Sequence, residues 1–312
     1  MADLAVVILN YRTPDLTLAC VASLEPQLDE HTRVIVVDND SGDGSADRIE
    51  QGIIERGLHA EVLRSPINGG FAAGMNYGIN AARADGYVLL NSDTIVRPDA
   101  LAQLREAMRR YPDAGVIGPA LLDADGQAAT NCFRDPKPLS ELVRAAQTGV
   151  LGKLLRSFEL VFPTASEPVE PDWIAFACVL VRREVFERIG PLDDGYFMYF
   201  EDVDYCRRAR EAGFRILYWP AAQVVHFGGA SSGVANGKRG RKRAPRYYYE
   251  ARARYYAKHF GHAGLWLANG FWCLGRGVAW SRERIERREP HHREREALDI
   301  WTNALEPLKE SS

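Results

Sequence analysis

The residues best placed to do chemistry stand where apolar runs stop. Tyr87, Val88, Leu89 and Leu90 form an unbroken apolar run that ends in Asn91, Ser92 and Asp93. Such a run suits a strand buried on both faces. A carboxylate at the carboxyl end of that strand lies where open α/β sheets bind ligands. Asp93 offers a hard oxygen to a divalent cation, and that cation can hold a diphosphate; the plainer reading is a turn, for which Asn, Ser and Asp are common. Two further runs stop in the same way. LAVVILN (4–10) closes on Asn10 and Tyr11, and RVIVVD (33–38) on Asp38, Asn39, Asp40 and Ser41. Asp38 and Asn39 together accept from and donate to a nucleobase edge, and Tyr11 can stack on it, although a helix cap or turn also accounts for Asp38. In a parallel sheet these ends lie side by side.

Two more stretches carry chemistry. In NGGFAAGMNYG (68–78) the glycines Gly69 and Gly70 let backbone approach a ligand at a helix N-terminus, where free N–H groups favour anions. A tight turn followed by small-residue packing at Gly74 and Gly78 is the alternative. In GYFMYFEDVDYCRRAREAG (195–213) aromatic residues run into Glu201, Asp202 and Asp204 at a helix start. Acids in a first turn commonly answer the helix dipole, and a lone histidine after a strand, such as His226, is more often structural than a ligand.

The elements that must position these groups alternate. Strands at 4–10, 33–41, 59–65 and 86–96 are interleaved with helices starting near Pro14, Ala46, Phe71 and Asp99. That order predicts an α/β fold, a doubly wound and mainly parallel sheet with helices on both faces. Beyond residue 112 the pattern loosens into a hairpin around Asp125-Gly126, a proline-bearing insertion with helical character over 139–160, a strand over 173–183, and strands ending at Trp219 and His226. No GxGxxG follows the first strand and no GxxxxGK[ST] is present, which disfavours nicotinamide-dependent and P-loop chemistry.

The composition, 46% apolar and 26% charged over 312 residues with a net charge of −3, is that of a globular protein with no call for a polyanionic partner. No nucleic-acid-binding motif is present. Five cysteines without a CxxC argue for reduced thiols and a cytoplasmic setting. The run at Leu4–Leu9 is too short for a signal peptide. Ala263–Trp280, interrupted by Asn269, Arg276 and glycines, is the nearest approach to a membrane span and falls short of one.

In this order and spacing the motifs VVILNY, VVDNDSGDGS, NGGFAAGMNYG, LLNSDT, RREVFERIG, YFMYFEDVDYCRRAREAG and VVHFGGAS resemble family 2 glycosyltransferases of the GT-A fold, in the subgroup of bacterial rhamnosyltransferases of cell-wall and O-antigen assembly. The resemblance spans about residues 4–232. It implies a metal-dependent, inverting transfer of a sugar from a nucleotide-diphosphate donor to a hydroxyl of a glycan or a polyprenyl-diphosphate-linked acceptor. The donor expected is dTDP-rhamnose, with a UDP-hexose transferase or an inactive nucleotide-sugar-binding homologue as alternatives. By position, Asp202 is the expected general base. Asn10, Tyr11, Asp38, Asn39, Ser41, Asn68, Gly70, Asn76, Asn91 and Ser92 line the nucleotide-sugar pocket. Asp93 and His226 hold Mg²⁺ or Mn²⁺, and Trp173, Tyr199 and Glu201 face the acceptor. Asn91 replaces the first acid of the family's DxD motif, so fewer carboxylates hold the metal.

The implied organisation is a catalytic domain over 1–235, with a nucleotide-sugar half (1–112) and an acceptor half (113–235), then a basic and aromatic helical region over 236–312. Residues 238–258 carry nine Lys or Arg against Glu250 alone. With the tyrosines and tryptophans that follow, this segment suits peripheral contact with the inner membrane face, each cation adding on the order of 1 kcal/mol at an anionic surface. Packing on the catalytic domain, a grip on the donor diphosphate, or a homodimer interface are its other uses.

Overall fold

The computed structural model describes residues 2–162, 165–228, 242–287 and 289–309. The end of the VVHFGGAS motif from Gly229, and Lys238, Arg239 and Arg241 of the basic stretch, lie outside these residues. In chain order the strands are β1 (Leu4–Asn10), β2 (Thr32–Asp38), β3 (Glu61–Arg64), β4 (Gly86–Asn91), β5 (Thr94–Val96), β6 (Ala114–Leu122), β7 (Cys132–Phe133), β8 (Trp173–Ile174), β9 (Cys178–Arg182) and β10 (Arg215–His226). The helices are α1 (Pro14–Leu24), α2 (Ser45–Arg56), α3 (Gly70–Asn80), α4 (Ala100–Arg110), α5 (Ser140–Ala146), α6 (Gly149–Leu154), α7 (Arg183–Ile189), α8 (Glu201–Glu211), α9 (Arg246–Glu286) and α10 (Glu296–Asp299). The chain forms two compact units. One comprises Met1–Phe133, Pro163–Asp194 and Glu201–Ser231, the other Arg134–Phe162, Gly195–Phe200 and Ser232–Ser312.

The first unit is built on an eight-stranded sheet of order β3-β2-β1-β4-β9-β6-β10-β5. β1 pairs in parallel with both β2 and β4, in a register that sets Asn10 opposite Asp38 and Leu9 opposite Asn91. The polar ends of three strands are therefore level with one another, as the alternation of apolar runs and polar stops predicts. β1, β2 and β4 are buried and apolar along most of their length, which is what helices on both faces require. β9 runs antiparallel between β4 and β6. Only Ser92 and Asp93 separate β4 from β5, yet β5 pairs antiparallel with β10, with His226 opposite Thr94. That short turn brings the tail of β10 beside the end of β4.

Helix α3 lies close on the sheet because it carries glycine where a side chain would not fit. A Cβ on Gly78 would overlap Val7 Cγ1 and stand 2.8 Å from Val37 Cγ2. One on Gly74 would overlap Leu9 Cδ1 and stand 3.3 Å from Asn39 Cγ. The expected strand over 173–183 is two strands, β8 and β9. β8 pairs with β7 in a separate ribbon, where the rings of Trp173 and Phe133 stack 4.3 Å apart.

The second unit packs α5 against the long α9. Its centre is polar. Glu141, buried, accepts from Arg252 Nε (3.1 Å) and Tyr256 Oη (3.1 Å) and pairs with Arg144 (2.8 Å); Arg144 also reaches Glu296 (2.9 Å), and Arg252 donates to Asn269 (2.7 Å). Although burial opposes its charge, the two arginines hold the Glu141 carboxyl down at about 2. α9 is one helical element with a break in helical geometry at Gly261 (φ 71°), a backbone conformation that favours glycine. It ends at Glu286, and the short α10 follows at Glu296–Asp299.

Candidate active site

The polar strand ends form a connected network in the first unit. Asn10, fully buried, donates from Nδ2 to Asp38 Oδ1 (2.7 Å) and Ser41 Oγ (3.2 Å), while its Oδ1 accepts from Thr17 Oγ1 (2.8 Å) and from Thr13 N (3.2 Å). Asp38 also accepts from the hydroxyl and the backbone N–H of Ser41. Asn39 donates to Asn68 Oδ1 (2.9 Å) and the Gly70 carbonyl (3.1 Å). Its own Oδ1 is buried without a hydrogen-bond partner, an acceptor left for something else to satisfy. Gly70, at φ 83°, donates its N–H to Asn68 and starts α3. Tyr11 is half-buried beneath the Arg12 guanidinium, which stands 5.0 Å from the ring centroid. Ser92 shares a hydrogen bond with Thr13 (2.9 Å). Asn76 lies apart from this group, its amide bonded at both ends to the backbone of Leu192 (2.9 and 3.1 Å).

Asp93 is 4% exposed, and its Oδ1 is 3.2 Å from His226 Nε2. The backbone fixes this meeting, since Phe227 N donates to the Asp93 carbonyl (3.0 Å) beside the β5–β10 pairing. Two oxygen or nitrogen donors so close, one of them a carboxylate, fit a divalent cation that keeps its other positions for phosphate oxygens and water. Among the described residues no cluster of three or more His, Cys, Asp or Glu gathers around one point.

The three acids at the start of α8 differ in environment. Asp204 is fully buried and paired with Arg208 (2.8 Å), which spends it on the helix itself. Glu201 is buried, and its Oε2 has no partner. Burial, with the Asp202 charge beside it, holds Glu201 protonated well above the usual carboxylate range. Asp202 is half-buried, and burial lifts its carboxyl to about 6 against the backbone N–H groups that favour the anion. It is the acid of the three that gains and loses a proton near neutrality, as a general base must. Trp173, expected on the acceptor side, is stacked on Phe133 in the short ribbon.

Tyr199 belongs to the second unit, in the segment that runs directly into Glu201. Tyr199 and Phe200 both have left-handed backbone, at φ 72° and 68°. For bulky residues this is strained, at about 1–3 kcal/mol each, and persists only where the surroundings impose it. Tyrosines of α9 supply the surroundings: Tyr199 stacks on Tyr247 (6.2 Å) and meets Tyr248 edge-on (5.5 Å), and Phe200 packs on Tyr248 (5.9 Å) and Tyr255 (5.5 Å). The sequence reading did not single out this brace, nor Arg12, whose Nε donates to the Ser41 carbonyl (2.9 Å). The run of tyrosines at 247–249 was the available signal for the brace.

The first unit thus carries a polar network at the carboxyl ends of parallel strands, a carboxylate–imidazole pair at the end of β4, and an aspartate at the start of α8 that ionises near neutrality. The chain belongs to glycosyl transferase family 2. The family-group model matches residues 87–283, and the family 2 model itself matches residues 5–128. The chain is 28% identical over 275 residues to the N-acetylglucosaminyl-diphospho-decaprenol L-rhamnosyltransferase of Mycobacterium tuberculosis, covering 83% of this chain and 85% of the relative. It is 35% identical over 102 residues to the rhamnosyltransferase WbbL of Escherichia coli K12, covering 30% and 39%. The fold is GT-A. A mannosyltransferase from Pyrobaculum calidifontis, solved with GDP-Man and Mn²⁺, superposes with a TM-score of 0.56 at 15% identity over 91% of this chain and 77% of that one. S. aureus TarS superposes with a TM-score of 0.55 at 14% identity, over 98% and 80%.

Proposed function

We propose that this glycosyltransferase is metal-dependent and inverting, and moves L-rhamnose from dTDP-rhamnose to a sugar hydroxyl on a polyprenyl-diphosphate-linked acceptor. One observation carries the metal-dependent form: Asp93 and His226, from distant parts of the chain, meet at 3.2 Å at the mouth of the strand-end network. Similarity to the decaprenol-linked rhamnosyltransferase along nearly the whole chain supports the choice of donor and acceptor.

In this reading Asn10, Asp38, Asn39 and Ser41 hold the base and deoxyribose, with Tyr11 against the base and the unpartnered Asn39 Oδ1 accepting from the ligand. Asn68 and Gly70 shape the donor pocket at the start of α3, and Asn91 and Ser92 close it at the end of β4. Asn76 serves that pocket by fixing the Leu192 backbone. Asp93 and His226 would hold Mg²⁺ or Mn²⁺, which when bound offsets the charge of the departing diphosphate. Asp202, ionised above about pH 6, takes the proton of the acceptor hydroxyl as that oxygen attacks the anomeric carbon from the face opposite the diphosphate. A protonated Glu201 beside it donates a hydrogen bond rather than adding a second negative charge. Residues 1–235 would form the catalytic domain and residues 236–312 a region that meets the membrane face bearing the acceptor.

The test is a screen of nucleotide sugars against a prenyl-diphosphate acceptor carrying one N-acetylglucosamine, with product linkage read by NMR. Rhamnose transfer with inverted anomeric configuration is the expected result. Preference for a UDP-hexose would replace the donor assignment. Tight donor binding without transfer to any acceptor would favour a binding protein.

A further inference from the structure

The outer face of α9 changes character beyond Gly261. Between Ala263 and Ser281 no exposed residue is charged; Trp266, Leu267, Leu274, Val278 and Trp280 project outward, with glycine between them. At 100° per residue they fall in one arc of about 160°, over some 21 Å of helix. The inner face of the same stretch is also largely apolar: Leu265, Ala268, Trp272 and Ala279 are buried. A helix apolar on both faces is ordinarily covered on both. Trp301 extends the patch, its ring edge-on to Trp266 at 6.2 Å. Trp266, Trp280 and Trp301 are 51%, 53% and 42% exposed, and together show roughly 300 Å² of ring. That alone approaches the largest apolar patch usual on a monomer, about 300–600 Å², before the leucines are counted.

We infer that this face is a docking surface for an anionic phospholipid bilayer, with α9 lying in the plane of the headgroups. Three observations select a bilayer. Tryptophans stand at both ends of the strip with aliphatic residues between them, and the Arg284 guanidinium sits 4.6 Å over the Trp280 ring; Trp beside a cation is the pairing favoured at headgroup depth. The inner face carries Asn269, Arg252 and an ion pair between Arg276 and Glu283, so the helix suits lying on a membrane and not crossing it. No described helix is long and apolar enough to cross one. Finally, residues 242–309 hold fourteen Lys or Arg against eight Asp or Glu in a chain that is −3 overall, a charge complementary to anionic lipid. The inference rests on the lipid-linked acceptor proposed above, and it names the surface by which the enzyme would reach it.

The experiment uses the full chain and vesicles of phosphatidylcholine and phosphatidylglycerol at 3:1, in co-sedimentation across a salt series. Wild type should bind, and acyl-brominated lipid should quench its tryptophan fluorescence. Leu267→Asp and Leu274→Asp, both on exposed positions, should each weaken binding at least tenfold with unchanged circular dichroism. Trp266→Phe with Trp280→Phe should retain binding and lose most of the quenching. Transfer to a water-soluble, short-prenyl acceptor should be unchanged in the Asp variants, while transfer to acceptor embedded in vesicles falls. No binding by wild type would overturn the inference, as would binding insensitive to both Asp substitutions. So would a dimer in sedimentation analysis that Leu274→Asp dissolves, which would give the face to a second copy of the chain. Absence of transfer to any acceptor, with vesicle binding intact, would remove the catalytic reading and leave the surface assignment standing.

Discussion

Asp93 and His226 are 3.2 Å apart because a three-residue strand pairs with the end of a twelve-residue one. The turn that carries Asp93 at the end of β4 also starts β5, and β5 places Thr94 opposite His226. The site is thus built by the sheet's own hydrogen bonds, and neither side chain needs a flexible loop to find the other.

Replacing either residue should therefore act on metal binding and leave the fold intact. Asp93→Ala and His226→Ala are each expected to weaken Mn²⁺ affinity in the presence of nucleoside diphosphate by about tenfold or more, measured by electron paramagnetic resonance. Chelator in excess should stop transfer by the wild type. Full turnover in chelator would show that cationic side chains alone neutralise the diphosphate.

Gly78 sets how closely α3 lies on the sheet. Gly78→Ala adds a methyl group where Val7 and Val37 already stand, and both are β-branched residues on buried strands with few rotamers to yield. Overpacking of this kind costs about 1–3 kcal/mol, whereas the gain in helix propensity returns about 1. A net loss of up to about 2 kcal/mol in urea unfolding is the expected outcome, with lowered donor affinity because α3 carries the Asn68–Gly70 entry. A stabilised variant would mean that α3 can lift without consequence.

Much of this architecture was legible because burial on both faces writes itself as an unbroken apolar run. LAVVILN and RVIVVD end where β1 and β2 end and YVLL one residue before β4 ends, and their polar stops are level in the sheet; the strands expected over 33–41 and 86–96 stop instead at Asp38 and Asn91. The brevity of β5 defeats that logic, since three residues carry no period, and its partner lies at the far end of the strand order. The strand expected over 173–183 breaks after Ile174 because its two halves pair with different partners, which local pattern does not encode. Left-handed backbone at Tyr199 and Phe200 runs against residue preference and was illegible for that reason. The Glu141–Arg252 pair joins distant stretches of chain, and each residue alone reads as an ordinary surface charge.

The tyrosine brace of α9 gives the third prediction. Tyr248 contacts both strained residues, and aromatic pairs of this kind are worth about 0.5–1.5 kcal/mol each. Two such pairs, about 1–3 kcal/mol together, offset a sizeable part of the strain, so Tyr248→Ala should let the segment before Glu201 relax. The expected effect is a fall of about tenfold in kcat with the KM for donor within twofold, and Tyr248→Phe should restore the rate because the ring does the holding. Equal losses in kcat for the Ala and Phe variants would assign the effect to the hydroxyl.

Asp202 carries the sharpest expectation, because one group fixes both an activity profile and a stability profile. Its carboxyl is raised from 3.8 to about 6 by burial. As proton acceptor it must be ionised, so kcat/KM should fall below about pH 6 with unit slope. Asp202→Asn should cost about 10²–10⁴ in rate, the usual worth of a positioned base, while donor binding is kept. The stability effect has the opposite sense. The folded carboxyl holds its proton more tightly than the unfolded one, so its contribution is most favourable below about pH 4 and is lost as pH rises through about 6. Asparagine cannot ionise and avoids that loss. The variant's thermal midpoint should match wild type near pH 4 and exceed it at pH 8. Near-normal turnover by Asp202→Asn would move the base to Glu201, and a lower midpoint at every pH would make Asp202 a structural residue.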